Sequence, residues 1–246
     1  MVLPLFGVPP LKGLPTPGTI LSLTGAEAKH AVSVRRMRVG EGIQVSDGRG
    51  NRVIGVVSAI ESNHLSFTVS ESHFEPAPEP SLTLVQALAK GDRDELAIQA
   101  ATELGVEGVV PWQAERSVSR WDGPKVAKGV ERWQTIVAEA AKQALRARTP
   151  LVSQPITTKQ LVTLISSHSM VLVLDPTASV AISQVQLPSE GSVAIVVGPE
   201  GGISDAELAA VEGAGAMRVR LGTEILRTST AGMAAISVLQ SRLNRW

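Results

Sequence analysis

The 246-residue chain contains no cysteine. A disulfide framework and a thiolate metal site are therefore both excluded, and the absence fits a reducing compartment. The four histidines are dispersed along the chain and lack the spacing of metal ligands; they are His30, His64, His73 and His168. We therefore expect no catalytic metal.

Long apolar runs are missing as well. Residues 1–6 are largely apolar, but no basic flank precedes them, and Pro9 and Pro10 follow too soon for the apolar core of a secretory signal. No other run approaches the length of a membrane span. These features predict a cytoplasmic protein without a membrane partner.

Positive charge is absent from one long stretch, although the net charge is zero. Residues 160–217 contain no Lys or Arg. By contrast, residues 29–52 hold six basic and two acidic side chains, and residues 116–148 hold eight basic and three acidic ones. Two basic zones beside a zone without cations suggest a polyanionic partner. The alternative is that each basic cluster is an ordinary solvated surface.

The remaining pattern predicts two domains. Short alternating segments and turn pairs occupy residues 1–74, which indicates a small β-rich domain or barrel. The proline-rich residues 75–80 are expected to be the linker. From residue 81 to 246, strands alternate with helical patterns, including helices expected over 92–104 and 129–148. This alternation is typical of an α/β domain with a parallel sheet covered on both faces.

Two units near the end of the chain carry the strongest signal. The apolar run Ser192–Val197 stops at Gly198-Pro199-Glu200-Gly201-Gly202, and residues 218–221 run into a second turn that begins at Gly222. Each unit reads as a buried strand, a glycine turn and a helix. We therefore expect two loops side by side at the carboxyl ends of neighbouring strands, where open α/β sheets bind ligands.

The first loop has unusual chemistry for a glycine-rich turn. Ser204 and Glu207 form a capping box, so a helix should begin just after Ile203. No phosphate-binding lysine and no dinucleotide-binding glycine spacing is present, and Glu200 adds negative charge. These features favour a ligand that is neutral or cationic at this end, such as an adenosyl group bearing a sulfonium. The alternative is a tight turn that needs glycine for its conformation only.

The second loop combines hydroxyls with one strong cation. Thr228, Ser229 and Thr230 are expected to cap the next helix, whose small residues would let another backbone or a second subunit approach. Arg227 lies between the glycine turn and the helix start. It is placed to orient an anionic or carbonyl-bearing substrate, unless it forms only a surface salt bridge.

These residues resemble the two signature motifs of the RsmE family, the 16S ribosomal RNA uridine-N3 methyltransferases of the SPOUT class. The motifs are residues 198–204 with Glu207, and residues 221–228 with Thr230 and Ala231. The resemblance extends upstream through residues 91–93, 102–106 and 116–118, and through Gln143 with Arg146. In the first domain, His30 with residues 34–36 and 39–40 resembles the family's PUA-like RNA-binding domain.

The resemblance implies an N-terminal PUA-like β-barrel over 1–74 and a C-terminal SPOUT methyltransferase domain over 81–246 that contains a trefoil knot. It also implies a homodimer that uses S-adenosylmethionine and acts on 16S rRNA or the small ribosomal subunit. The expected cofactor-binding residues are Leu174, Gly198, Glu200, Gly201, Gly202, Leu221, Gly222, Ile225 and Leu226. The expected RNA contacts are Arg35, Arg36, Arg38, Arg116 and Arg146.

For catalysis, we expect Arg227 to stabilise negative charge on a uracil imide oxygen, with Glu200 or the Thr228 hydroxyl near the N3 proton. The chain departs from the family pattern at Ser229, where Glu is usual, and at Ala100, where Lys is usual. Two other classes stay open at this point: a noncatalytic RNA-binding protein and a nucleotide-dependent enzyme of the doubly wound type.

Overall fold

The structure is a computed structural model that describes residues 2–246. The chain forms two compact units. The first comprises the described residues up to Ala77 together with Ala141–Thr149, and the second comprises Pro78–Ala140 and Pro150–Trp246. The domain bounds 1–74 and 81–246 stay a prediction.

The first unit is built around a five-stranded sheet. Its elements, in chain order, are β1 (Leu5–Gly7), β2 (Ile20–Thr24), α1 (Gly25–Lys29), a π-helical turn (His30–Val34), β3 (Gly42–Ser46), β4 (Asn51–Glu61) and β5 (His64–Phe74). The strand order is β1-β3-β4-β5-β2, and only β1 and β3 are parallel. The alternating residues of the sheet bury one apolar face, as the sequence pattern predicted.

The segment Ala141–Thr149 adds backbone contacts to the first unit. The Ser46 hydroxyl donates to the carbonyl of Ala147 at 2.7 Å, and the Arg52 guanidinium donates to the carbonyl of Leu145 at 2.7 Å. Arg52 also pairs with Glu75. This arginine of the first basic zone is thus structural.

The second unit is an α/β unit. Its elements, in chain order, are β6 (Ser81–Ala87), α2 (Arg93–Glu103), β7 (Gly108–Gln113), α3 (Pro124–Gln143), β8 (Leu151–Val152), β9 (Ile156–Thr157), α4 (Thr158–Ile165), β10 (Met170–Leu174), a 3₁₀ turn (Ile182–Gln184), β11 (Ser192–Val197), α5 (Asp205–Gly213), β12 (Met217–Val219) and α6 (Thr228–Arg242). The last turn of α3 belongs to the first unit by the division above.

All strands of the second sheet are parallel, and their order is β12-β10-β11-β6-β7-β8, with β9 also paired to β7. One face buries apolar side chains with α2, α3 and α6, and the other with α4 and α5. The predicted parallel sheet covered on both faces is confirmed. Among residues 2–246, no helix is long and apolar enough to cross a membrane.

Two local predictions were wrong. The helix expected over 129–148 instead begins at Pro124, a residue suited to the first helical turn, and ends at Gln143. It cannot continue because Leu145 has a φ of 55°. Strands β11 and β12 are not neighbours in the sheet, because β10 pairs with both of them and lies between them.

Candidate active site

A cleft of about 810 Å³ opens at the carboxyl ends of β10, β11 and β12. Three loops line it: the residues after Leu174, the glycine loop after Val197, and the loop from Leu221 to Thr228. Because β10 lies between β11 and β12, the residues that follow it form a third wall of the cleft. Eight of the nine expected cofactor-binding residues line the cleft: Leu174, Gly198, Glu200, Gly202, Leu221, Gly222, Ile225 and Leu226.

Gly201, the ninth residue, does not line the cleft. A Cβ atom at this position would lie 3.1 Å from the Cβ of Arg116, and the Arg116 guanidinium donates to the Gly201 carbonyl at 3.2 Å. The glycine therefore permits close packing of the Arg116 loop behind the cleft wall. A role for Gly201 in cofactor binding stays a prediction.

The glycine loop is compact for identifiable reasons. Gly202 has a φ of +73°, which favours glycine, and its amide donates to the Pro199 carbonyl at 2.9 Å. A Cβ on Gly198 would lie 2.6 Å from the side chain of Ile203. Beyond the loop, Ser204 and Glu207 form the predicted capping box that starts α5.

Glu200 is held by groups that follow β6. The Arg93 guanidinium donates to its carboxylate at 2.8 Å, and the Lys90 amide donates to the same oxygen at 3.1 Å. Burial opposes ionisation of this carboxyl, but these donors and its own backbone amide outweigh burial and lower the pKa of Glu200. A carboxylate with a lowered pKa is a weak proton acceptor.

Thr228 begins α6 and is buried. Its hydroxyl donates to the carbonyl of Gly198 at 2.8 Å and accepts from the Gln86 side-chain amide at 2.9 Å. The expectation that Thr228, Ser229 or Thr230 caps α6 was wrong, because the N-cap is Arg227 and no described side chain forms a capping hydrogen bond there. The Thr228 hydroxyl instead joins two walls of the cleft.

Arg227 lies at the cleft and is exposed. Within the part of the chain that the structure describes, its guanidinium forms no hydrogen bond and no ion pair. The other two arginines of the cleft differ in this respect, since Arg93 is paired with Glu200 and Arg218 with Asp175. Arg227 is therefore available to an incoming group.

Asp175 and Arg218 form an ion pair in the cleft that was not predicted from the sequence. The Arg218 Nε donates to the buried Asp175 carboxylate at 2.7 Å, and Thr177 donates to the other carboxylate oxygen through its amide and hydroxyl. Burial opposes ionisation, but the Thr177 hydrogen bonds and the Arg218 cation lower the pKa of Asp175. The available signal was an aspartate placed directly after the buried strand β10.

The small residues of α6 serve packing inside the unit. A Cβ on Gly232 would lie 3.1 Å from the Leu84 side chain and 3.4 Å from that of Val197. Ala235 is also fully buried. The thin face that the sequence predicted thus lets α6 approach β6 and β11 closely.

The candidate RNA contacts differ in their surroundings. Arg35, Arg36 and Arg38 are exposed in the first unit, just after the π-helical turn, and their side chains form no hydrogen bond or ion pair within residues 2–246. Arg146 also belongs to that unit and is half-buried. Arg116 is in the second unit and contacts the glycine loop. No group of three or more acidic or histidine residues in the described part of the chain could hold a metal ion.

Comparison with known proteins adds independent information. An RNA methyltransferase domain family matches residues 76–240, and an RNA methyltransferase PUA domain family matches residues 23–70. The ribosomal RNA small subunit methyltransferase E of Mycobacterium bovis is 41% identical over 237 residues, which cover 95% of this chain and 90% of the relative. The Bacillus subtilis protein of the same name is 34% identical, covering 89% of this chain and 88% of that protein.

The fold comparison agrees. A crystal structure of a ribosomal RNA small subunit methyltransferase E from Neisseria gonorrhoeae, bound to S-adenosyl methionine, superposes with a TM-score of 0.87 at 28% identity, covering 98% of each chain. The PUA-like and SPOUT-type α/β fold expected from the resemblance is confirmed at this level. The chain belongs to the ribosomal RNA small subunit methyltransferase E (RsmE) family.

Proposed function

We propose that this chain methylates N3 of a uridine in 16S rRNA, with S-adenosylmethionine as the methyl donor. Family membership supports an rRNA methyltransferase and disfavours both the noncatalytic RNA-binding protein and the nucleotide-dependent enzyme. The observation that carries the proposal is the cleft itself, in which Arg227 is the cationic side chain that stays unpaired within residues 2–246.

The residues of the cleft fit such a cofactor. Five carboxylates and three arginines line it, and two of the arginines are neutralised by Glu200 and Asp175. The resulting excess of negative charge suits a ligand that carries a sulfonium. When bound, S-adenosylmethionine would supply an electrophilic methyl group.

Different walls of the cleft would contact different parts of the cofactor. The apolar side chains of Leu174, Leu221, Ile225 and Leu226 would cover its adenosine part. Gly198, Gly202 and Gly222 line the cleft without side chains, so a ligand can approach the backbone closely at these positions. The proposed binding therefore depends mostly on loop shape.

We assign Arg227 to stabilising the negative charge that develops on uracil during methyl transfer. Removal of the N3 proton leaves negative charge that spreads onto the imide oxygens, and a guanidinium held at the cleft stabilises that charge as it develops. The base must be unpaired to expose N3. Glu200 and Thr228 stay predicted site residues, but their hydrogen bonds favour holding the loops over accepting the proton.

For RNA binding, we propose the exposed arginines that follow the π-helical turn of the first unit: Arg35, Arg36 and Arg38. The PUA family match supports this assignment. Arg116 and Arg146 stay candidates. Exposed arginines neutralise phosphates, and this contribution to affinity is independent of sequence.

We further propose a cytoplasmic homodimer with a trefoil knot in the second unit. The support is the family membership, together with exposed apolar residues at the cleft: Ile225 is 81% exposed and Leu226 is 40% exposed. Light scattering coupled to size-exclusion chromatography tests the dimer. A mass of one 25.8 kDa chain at micromolar concentration contradicts it.

The methylation proposal has a direct test. Small-subunit rRNA from a strain that lacks this protein is digested and analysed by mass spectrometry, and the purified protein is then supplied with S-adenosylmethionine and either free 16S rRNA or small subunits. We expect one N3-methyluridine to be lost in the strain and restored in vitro. Calorimetric titration with ATP is the control for the nucleotide-dependent alternative. A methyl group on another atom or another RNA contradicts the proposal.

A further inference from the structure

Gln86 is a polar side chain in an apolar layer. Successive residues of a strand point to opposite faces, and Leu82 and Leu84 pack on the face that α2 and α6 cover. Gln86 follows them on the same face and has no exposed surface. Burying an amide there is costly unless it forms hydrogen bonds.

The amide nitrogen of Gln86 has two acceptors. It donates to the Thr228 hydroxyl oxygen at 2.9 Å and to the Ala87 carbonyl at 3.2 Å. A hydroxyl has a single proton, and that of Thr228 is directed to the Gly198 carbonyl at 2.8 Å. Because Gln86 occupies an acceptor position of this hydroxyl, it leaves the proton for Gly198.

The amide oxygen of Gln86 is buried and has no partner within residues 2–246. Turning the amide over would set that oxygen against the Ala87 carbonyl, which is also an acceptor. It would also offer the Thr228 proton a second acceptor in competition with Gly198. The observed orientation therefore serves Thr228 and leaves the amide oxygen unpaired, and such unpaired groups in native structures require an explanation.

We propose that Gln86 is a positioning residue for methyl transfer. It orients the Thr228 hydroxyl so that this hydroxyl fixes Gly198, and thereby the glycine loop, against the start of α6. Gln86 does not itself line the cleft, whereas Thr228 and Gly198 both do. The inference rests on the proposed function in one respect, namely that this cleft binds S-adenosylmethionine.

The hydrogen bonds from Gln86 to Thr228 and from Thr228 to Gly198 form a relay, which is tested first without cofactor. Hydrogen–deuterium exchange is measured on residues 198–204 in wild type, Gln86→Leu, Thr228→Val and Thr228→Ser. We expect exchange about tenfold faster in the Leu and Val variants and near wild type in the Ser variant, which keeps the hydroxyl. Leucine fits the apolar face, so the denaturant midpoint of unfolding of Gln86→Leu should be equal to or higher than that of wild type. Unchanged loop exchange in either the Leu or the Val variant overturns the proposal.

Gln240→Leu is the matched control. Gln240 is also buried in the second unit, and its amide donates to the Leu104 carbonyl at 2.6 Å, at the other end of α6. The same chemical change there should leave exchange of residues 198–204 as in wild type. If Gln240→Leu accelerates exchange of residues 198–204 as much as Gln86→Leu does, the loss of any buried amide has this effect. That result overturns the proposal.

Cofactor affinity is the second readout. Calorimetry should show about tenfold weaker S-adenosylmethionine binding for Gln86→Leu and for Thr228→Val, with the double variant close to either single one. A double variant weakened by the product of the two effects, about a hundredfold, overturns the relay. Failure of the wild-type protein to bind the cofactor overturns the proposed function instead, and the exchange result still decides the relay.

Discussion

Glu200 and Arg93 form an ion pair of 2.8 Å between residues 107 positions apart in the chain. The pair ties the glycine loop to the turn after β6, and with the Lys90 amide it occupies one oxygen of the carboxylate. This geometry makes Glu200 a support of the cleft wall.

Replacing Glu200 with Gln therefore tests a role in binding against a role in proton removal. We expect S-adenosylmethionine affinity to fall about tenfold, because hydrogen bonds to the charged carboxylate are weakened, while kcat stays within a few-fold of wild type. Glu224→Gln is the control for the loss of one negative charge, since Glu224 also lines the cleft but pairs with no described residue. A hundredfold loss of kcat at unchanged affinity would make Glu200 the base.

Arg227→Ala should lower kcat by roughly 10²-fold or more, the scale seen when one electrostatic stabiliser is removed. S-adenosylmethionine affinity should change little, and Arg227→Lys should restore turnover only in part, because an ammonium lacks the planar fork. Single-turnover rates at saturating RNA measure the effect. Arg120→Ala, which removes an exposed arginine outside the cleft, is the control. Near-normal turnover of the alanine variant would contradict the role of Arg227 in stabilising negative charge.

Gly201→Val should weaken S-adenosylmethionine binding although Gly201 is behind the cleft wall. Even a Cβ would lie 3.1 Å from the Arg116 Cβ, so the branched side chain must displace either the Arg116 loop or the glycine loop. Gly213→Val is the control, because open space surrounds a Cβ there. Calorimetry on both folded variants decides, and equal affinities would remove Gly201 from the support of the site.

Replacing Arg35 and Arg36 together with Ala should weaken RNA binding and reduce its salt dependence. The slope of log affinity against log salt should fall by about one unit for each phosphate that the protein no longer neutralises. The double Lys variant keeps both charges and should retain the slope. Binding is measured between about 50 and 200 mM salt. If the alanine variant keeps the wild-type slope, these arginines are only solvated surface.

Asp94 predicts a pH dependence of stability. Burial raises its pKa from 3.8 to about 6, against hydrogen bonds from the Ala89 and Glu95 amides. The folded state thus binds the proton more tightly than the unfolded state. The resulting stabilisation is full below pH 4 and is lost as the pH rises through about 6.

The free energy of unfolding, measured by denaturant titration from pH 4 to 8, checks this prediction. Relative to Asp94→Asn, which cannot ionise, wild type should lose up to about 3 kcal/mol between pH 4 and pH 7. Glu103→Gln, on the last turn of the same helix, is the control. A difference between wild type and Asp94→Asn that stays constant with pH would contradict the raised pKa.

Local sequence determined much of this protein. Buried strands such as β10 and β11 follow from apolar runs, the start of α5 follows from Ser204 and Glu207, and the positive φ of Gly202 needs glycine. These features depend on residues within a few positions of one another, so the pattern of side chains is sufficient to predict them. The family resemblance rests on the same short motifs.

Only the tertiary structure decided how the cleft is closed. The order β12-β10-β11 brings Leu174 and Asp175 between the two predicted loops. Gln86 reaches Thr228 across 142 positions, and Arg116 reaches Gly201 across 85. Such contacts depend on strand order and on the packing of α6, which periodicity does not encode. The sequence therefore specified the loops, whereas long-range packing specified which of their side chains are paired and left the Arg227 guanidinium unpaired within residues 2–246.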